Sequence, residues 1–309
     1  MDQEKRNIYD HVSKYVYTSW LLSLWNIITT FVLLYICFSI ESIFIIPLMA
    51  LLLTRTFIIF HDIGHDSFFP LKIKSRYNNI VGILIGTLVL TPFSNWVSGH
   101  NYHHKHSNKL DKRQHTQTSP WEIKRYKNAS YFKKIMYKFM YGKYTLFSIV
   151  PSIYFMIFQH FGAHWYENLI HVLYLISLIT FSSYYKLICY IIAYFLSGIF
   201  GFILFHFQHT FDGVYKEKGD DWDYFKNGLY GSSFIQIPWY LKYFTCGTEY
   251  HHIHHLNAKV PSYYLKKCHG ESGELFNNVK KVYLSDIFKT CHYSLYNADK
   301  KQFDDVHNY

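Results

Sequence analysis

Long apolar runs constrain this chain more than anything else in it. Residues 18–38, 43–60 and 187–205 are each long enough, at roughly 20 residues, to cross a bilayer. No water is at hand in lipid to pair backbone N–H and C=O groups, so such runs fold as helices. A shorter run, residues 169–181, precedes the last of them. The polar breaks at 39–42 and 182–186 read as tight turns, which makes two helical hairpins. Composition agrees. The chain is 50% hydrophobic and 21% aromatic, with 30 Tyr and 27 Phe, which suits lipid and its interfaces better than a soluble core. Mean hydropathy is only −0.04, because Tyr scores poorly on that scale.

Two further apolar stretches do not read as spans. Residues 79–90 cover about half a bilayer and suit an interfacial or re-entrant position. Residues 144–161 carry Pro151 in their middle, and counting them as a span would strand the last histidine cluster opposite the others. The expectation is therefore an all-α integral membrane protein with four transmembrane helices. Everything after Asp212 forms a polar helical cap on the cytoplasmic side. Arg55, inside the second run, reads as a side chain snorkelling to the interface.

The formal net charge is +10. Much of the excess lies in the connector 105–143, with Lys109, Lys112, Arg113, Lys124, Arg125, Lys127, Lys133, Lys134 and Lys138. The positive-inside rule places that connector in the cytoplasm, against an anionic membrane face. No DNA- or RNA-binding motif accompanies it, and nucleic acid is not an expected partner. Cys37, Cys189, Cys246, Cys268 and Cys291 are odd in number and contain no CxxC pair, so they read as free thiols. The polar start, residues 1–17, does not look like a cleaved signal peptide. No linker divides the chain, and residues 1–309 read as one domain.

Histidines fall at the exits of these runs with a repeated spacing. His251, His254 and His255 sit at i, i+3 and i+4, as do His100, His103 and His104, and His61 with His65 gives i, i+4. On a helix those positions share one face. Eight imidazoles aimed at one volume are more than a single zinc needs, and no cysteine lies in any cluster. Neutral imidazole also suits iron, copper and nickel. The reading is a two-iron centre at the membrane surface. Asp62, Asp66 and Glu249 are candidates to orient it by accepting imidazole N–H groups, or are solvated helix-end charges. His106 and His252 are off the spacing and read as supporting or surface residues. The scattered His11, His115, His160, His164, His171, His269, His292 and His307 read as having no metal role. HExxH, phosphate-loop and dinucleotide fingerprints are absent, so electrons must come from another protein.

At these residues the chain resembles the membrane fatty acid desaturase family, most closely its acyl-lipid delta-12 (omega-6) branch. The first box reads HDIGHDSFF and the second WVSGHNYHHKHSN. The third reads EYHHIHHLNAKVPSYYL, and FQHTFDGVYKEKGDDWDYFKNGLYGSSF precedes it. The match covers about residues 54–268. The resemblance implies iron ligands at His61, His65, His100, His103, His104, His209, His251, His254 and His255, with no catalytic residue beyond the metal centre. It implies two iron ions, dioxygen as co-substrate, membrane lipid acyl chains as substrate, and cytochrome b5 or ferredoxin as external donor. In a eukaryotic host the membrane would be the endoplasmic reticulum. Related acyl-CoA desaturases place an Asn four residues before the histidine that is His209 here. This chain has Phe205 there, and His206 or a water is a candidate to compensate. The HxxxH first box points to lipid-linked acyl chains, and no haem-binding HPGG is present. Two alternatives stay open: a related hydroxylase, acetylenase, conjugase or carotenoid oxygenase, and a His-rich metal transporter.

Overall fold

The computed structural model describes residues 3–70, 76–112 and 120–309. Arg113 and His115 lie outside the described residues. After α1 (Gln3–Ser13), three helices among the described residues are long and apolar enough to cross a membrane: α2 (Trp20–Ser39), α3 (Ile46–Gly64, extended back to Ile43 by a 3-10 turn) and α10 (Tyr184–His209). Ser19 caps α2 by accepting the Leu22 N–H, and Ser183 caps α10 by accepting that of Lys186. Leu21, Trp25 and Ile28 on α2 are exposed, as a lipid-facing surface requires.

Between α3 and α10, α4 (Arg76–Leu88) and α5 (Phe93–His106) meet at a bend of 100°. Two glycines permit it. A Cβ on Gly82 would lie 2.3 Å from the Phe93 ring, and one on Gly86 would lie 2.5 Å from the Thr91 carbonyl. Such a bend belongs to a broken span or a re-entrant loop. Pro151 stands in the first turn of α8 (Val150–His160), where its missing N–H costs nothing. It starts a helix there rather than breaking one. The stretch 169–181 belongs to α9 (Trp165–Phe181), which at 17 residues is short for a span.

Two expectations need correction. The protein is mostly helical, but not all-α. The connector and the C-terminal region hold α6 (Ile123–Lys127), α7 (Tyr131–Tyr141), α11 (Tyr224–Tyr230), α12 (Lys242–Thr245), α13 (His251–Leu256), α14 (Ser262–Gly270) and α15 (Ile287–Thr290). Among the described residues, two small sheets tie them together. In one, β1 (Trp121–Glu122) pairs parallel with β4 (Leu295–Asn297), and β4 pairs antiparallel with β5 (Gln302–Asp304). In the other, β2 (Phe234–Gln236) pairs parallel with β3 (Lys281–Tyr283).

Arg55 is the second correction. It is 3% exposed and does not snorkel. Its guanidinium donates to Thr30 Oγ1 at 2.7 Å, to Asn26 and to the Tyr243 carbonyl, and meets Cys246 Sγ at 2.8 Å. It therefore ties α2 and α3 to the turn that leads into the third histidine cluster. Helices α3, α5, α10 and α13 bring their histidines together.

Candidate metal centre

Each cluster takes its direction from its helix. His61 lies in the last turn of α3, and His65 caps that helix. His100, His103 and His104 share one side of α5, and His209 ends α10. α13 is only six residues long, and His251, His254 and His255 are all buried on it. It seats against α11 at a glycine: a Cβ on Gly228 would meet Leu256 at 3.0 Å.

The nine histidines that the resemblance named come together as two groups. One holds His61, His65, His100, His104 and His254, and the other His103, His209, His251 and His255. Within each group the facing ring nitrogens all lie within 4.8 Å of one another. The Nε2 atoms of His104 and His100 are 3.1 Å apart, and those of His254 and His104 are 3.0 Å apart. In the other group His251 and His209 approach to 3.0 Å. His103 and His255 approach to 3.2 Å.

These distances test whether metal ions fit. Two nitrogens about 2.1 Å from one shared ion lie about 3.0 Å apart across a right angle and about 3.4 Å apart in a tetrahedron. An N–H···N hydrogen bond explains any single pair. It does not explain His104, whose Nε2 faces two others and has only one proton or one lone pair to offer. Burial, reinforced by neighbouring imidazoles, holds His251, His254 and His255 well below the usual histidine range, so they are neutral, the form that binds metal. A metal site fits this donor set.

The supporting residues divide clearly. Asp62 accepts from His61 Nδ1 at 3.1 Å with one oxygen and from the Ser262 N–H at 2.8 Å with the other. That bond directs His61 Nε2 at the group. Asp66 instead accepts from Asn78 and pairs with Lys259. Glu249 accepts from the Thr245 hydroxyl at 2.7 Å. His252 turns to His269 and Phe276, away from both groups. His206 Nε2 donates to the Thr290 carbonyl at 2.9 Å, so it does not stand in for the missing Asn. Phe205 itself sits against His103 and His209, with ring centroids 5.6 and 5.3 Å away.

Several residues near the centre were not singled out from sequence. Trp96 stacks on His100 at 4.4 Å. Ser107, Asn108, Lys216, Asn227 and Gly231 form a buried polar chain behind the second group. Asn108 and Gly231 do fall inside the second box and the GSS segment, which was the available signal.

A cavity of about 210 Å³ opens beside both groups. His61 and His100 of one group line it, with His103 and His251 of the other. The remaining wall is mainly apolar and includes Phe57, Trp96, Phe155, Tyr194, Phe202 and Phe205.

The family profile described as fatty acid desaturase matches residues 38–286. The chain belongs to the fatty acid desaturase family. It is an oxidoreductase acting on acyl lipids, and that assignment removes the metal-transporter alternative. Over 262 residues it is 35% identical to a fatty acid desaturase of Bacillus subtilis (strain 168), covering 81% of this chain and 73% of that one. An sn-1 oleoyl-lipid 12-desaturase of Picosynechococcus sp. is 26% identical over 83% of this chain and 75% of its own length. More distant, at 23%, is an sn-1 acyl-lipid omega-3 desaturase (ferredoxin) of Nostoc sp., over 76% of this chain and 69% of its own. Among its described residues the desaturase has three or, counting the bent pair, up to four helices suited to a membrane.

Proposed function

We propose that this desaturase places a cis double bond in a lipid-linked acyl chain, as a delta-12 enzyme acting on oleoyl lipids. The nine histidines would hold two iron ions. The observation that carries the reading is the apolar cavity, whose wall includes histidines from both groups. An acyl chain entering it would lie beside the centre, with water displaced by the Phe and Trp rings. Bound there, two irons would supply, with dioxygen and external electrons, the oxidising power to break an unactivated C–H bond.

The protein's own residues have definable parts. Asp62 and the Gly231 carbonyl fix which nitrogen of His61 and of His209 faces inward. The cavity wall holds the chain at one depth, so that one methylene pair is presented rather than many. Ferredoxin or cytochrome b5 would be the donor, and ferredoxin stands in the name of the Nostoc relative.

We also propose four spans in two hairpins within one domain. α9 is about 26 Å long at 1.5 Å per residue, near the lower limit for a span. With α4 and α5 dipping in and returning, all nine histidines of the two groups then lie on the cytoplasmic face.

The test is a fatty-acid profile of yeast expressing the chain, with His254→Ala beside it. Oleoyl lipids, iron and cytochrome b5 are all present in yeast. A new diene that disappears in the variant is the expected result. A hydroxylated fatty acid as main product, from expressed and iron-loaded protein, would sink the desaturase outcome.

A further inference from the structure

Behind the four-histidine group lies a buried polar chain that no span or sheet requires. His209 Nδ1 donates to the Gly231 carbonyl at 3.1 Å. The same carbonyl accepts from Asn108 Nδ2 at 2.8 Å. Asn108 gives its other amide hydrogen to Asn227 Oδ1 at 2.9 Å, and its own Oδ1 accepts from Lys216 Nζ at 2.7 Å. Asn227 donates to Ser107 Oγ at 2.7 Å, and that hydroxyl lies 3.5 Å from His255 Nδ1. Lys216 and Asn108 are each 5% exposed, and Asn227 and Ser107 1%.

Three features make this arrangement costly. Asn108 has φ +58°, in the left-handed region that few residues other than Gly, Asn and Asp adopt. Gly231 admits no side chain, since a Cβ there would lie 2.5 Å from Asn227 Oδ1 and 2.6 Å from Asn108 Nδ2. Lys216 is an ammonium taken out of water between the Tyr296 and Phe303 rings, each 5.6 Å from Nζ. Among the described residues no carboxylate pairs with it. Burial alone pushes it down to about 7. An unpaired buried ammonium is a poor device for stability.

We propose that Lys216 and Asn108 are positioning residues for the four-histidine half of the centre. The ammonium orients the Asn108 amide. The amide occupies one lone pair of the Gly231 carbonyl and fixes its direction. That carbonyl in turn fixes the ring and tautomer of His209, while Asn227 and Ser107 steady His255. The inference rests on the reading that this centre holds two metal ions.

The experiment counts metal in the purified full-length protein and records its cobalt(II) spectrum. Asn108→Gly removes the amide but accepts the backbone angle, and Lys216→Met removes the charge but keeps the stem. Expected are two ions in the unsubstituted protein. In Asn108→Gly one ion should bind about 10- to 100-fold more weakly, with the other unchanged. Lys216→Met should shift the same ion and the same cobalt bands by less. Two ions at unchanged affinity in both variants overturn the inference alone. Equal weakening of both ions together with a lower unfolding temperature also overturns it, because the chain is then general support. An unsubstituted protein that takes fewer than two ions overturns the two-metal reading itself.

Discussion

The two histidine groups differ in what stands behind them. Behind the five-histidine group is a carboxylate, Asp62, held between His61 and the Ser262 N–H. Behind the four-histidine group is a backbone carbonyl, Gly231, reached through an amide from a buried lysine. One half has an anion in contact with a histidine ring, and the other has a cation two hydrogen bonds beyond a ring's partner. A carboxylate raises the basicity of the imidazole it holds and favours a positive ion. The buried Lys216 disfavours one by its charge, a smaller effect than the positioning it supplies through Asn108. Two ions bound here would therefore be unequal, although all nine candidate donors are imidazoles.

Loss of a histidine from either half should have the largest effect. His254→Ala and His209→Ala are each expected to abolish the desaturated product, a loss beyond the about 10- to 100-fold that outer partners cost. Metal analysis should separate them. His254→Ala should empty the five-histidine half first, and His209→Ala the other. Loss of both ions together in both variants would mean that the halves do not bind independently.

Asp62→Asn comes next. It removes the charge while keeping the size, and should weaken the ion of the five-histidine half by about 10- to 100-fold. The cobalt bands that shift should not be those that shift in Asn108→Gly. If both substitutions weaken the same ion, the division into halves is wrong.

The histidines of this comparison were legible in sequence because their spacing is local. His251, His254 and His255 need only one helical turn to share a face, so three short runs of letters carried most of the donor set. The partners behind them were not legible in the same way. Lys216 is separated from Asn108, and Asn108 from Gly231, by more than 100 residues, and only the folded chain brings them together. Asp62 was identified because it neighbours His61, whereas Asp66, equally close to His65, turns out to hold Asn78. The apolar runs located α2, α3 and α10, since length and apolar composition are read directly from the letters. Arg55 was misread because snorkelling is the usual fate of an arginine near a span's end, and its partners lie on other elements. Strands as short as Trp121–Glu122 have no period to detect, and their pairing with residues near the C-terminus is a tertiary event.

The smallest expected effect separates the acid sensitivity of the C-terminal region from that of the centre. His252 shares α13 with three of the nine histidines, but its Nε2 faces His269 Nδ1 at 3.3 Å. Burial first, then Lys281, holds His269 down to about 4. Unfolded, a histidine titrates near about 6.5. Between those values the unfolded chain binds the proton and the folded chain does not. Stability therefore rises with pH through this window, and is lost as pH falls from about 6.5 towards about 4. His269→Phe keeps a ring stacked on Phe276, whose plane lies within 9° of it. It should reduce the loss of unfolding free energy between about pH 7 and about pH 5 by about 1 kcal/mol, a value discounted because the ring is partly exposed. Metal content at neutral pH should not change. Thermal melts across that range would read the difference. An identical acid profile in the variant would assign the pH dependence to the nine central histidines instead, and the two halves would then have to be titrated separately.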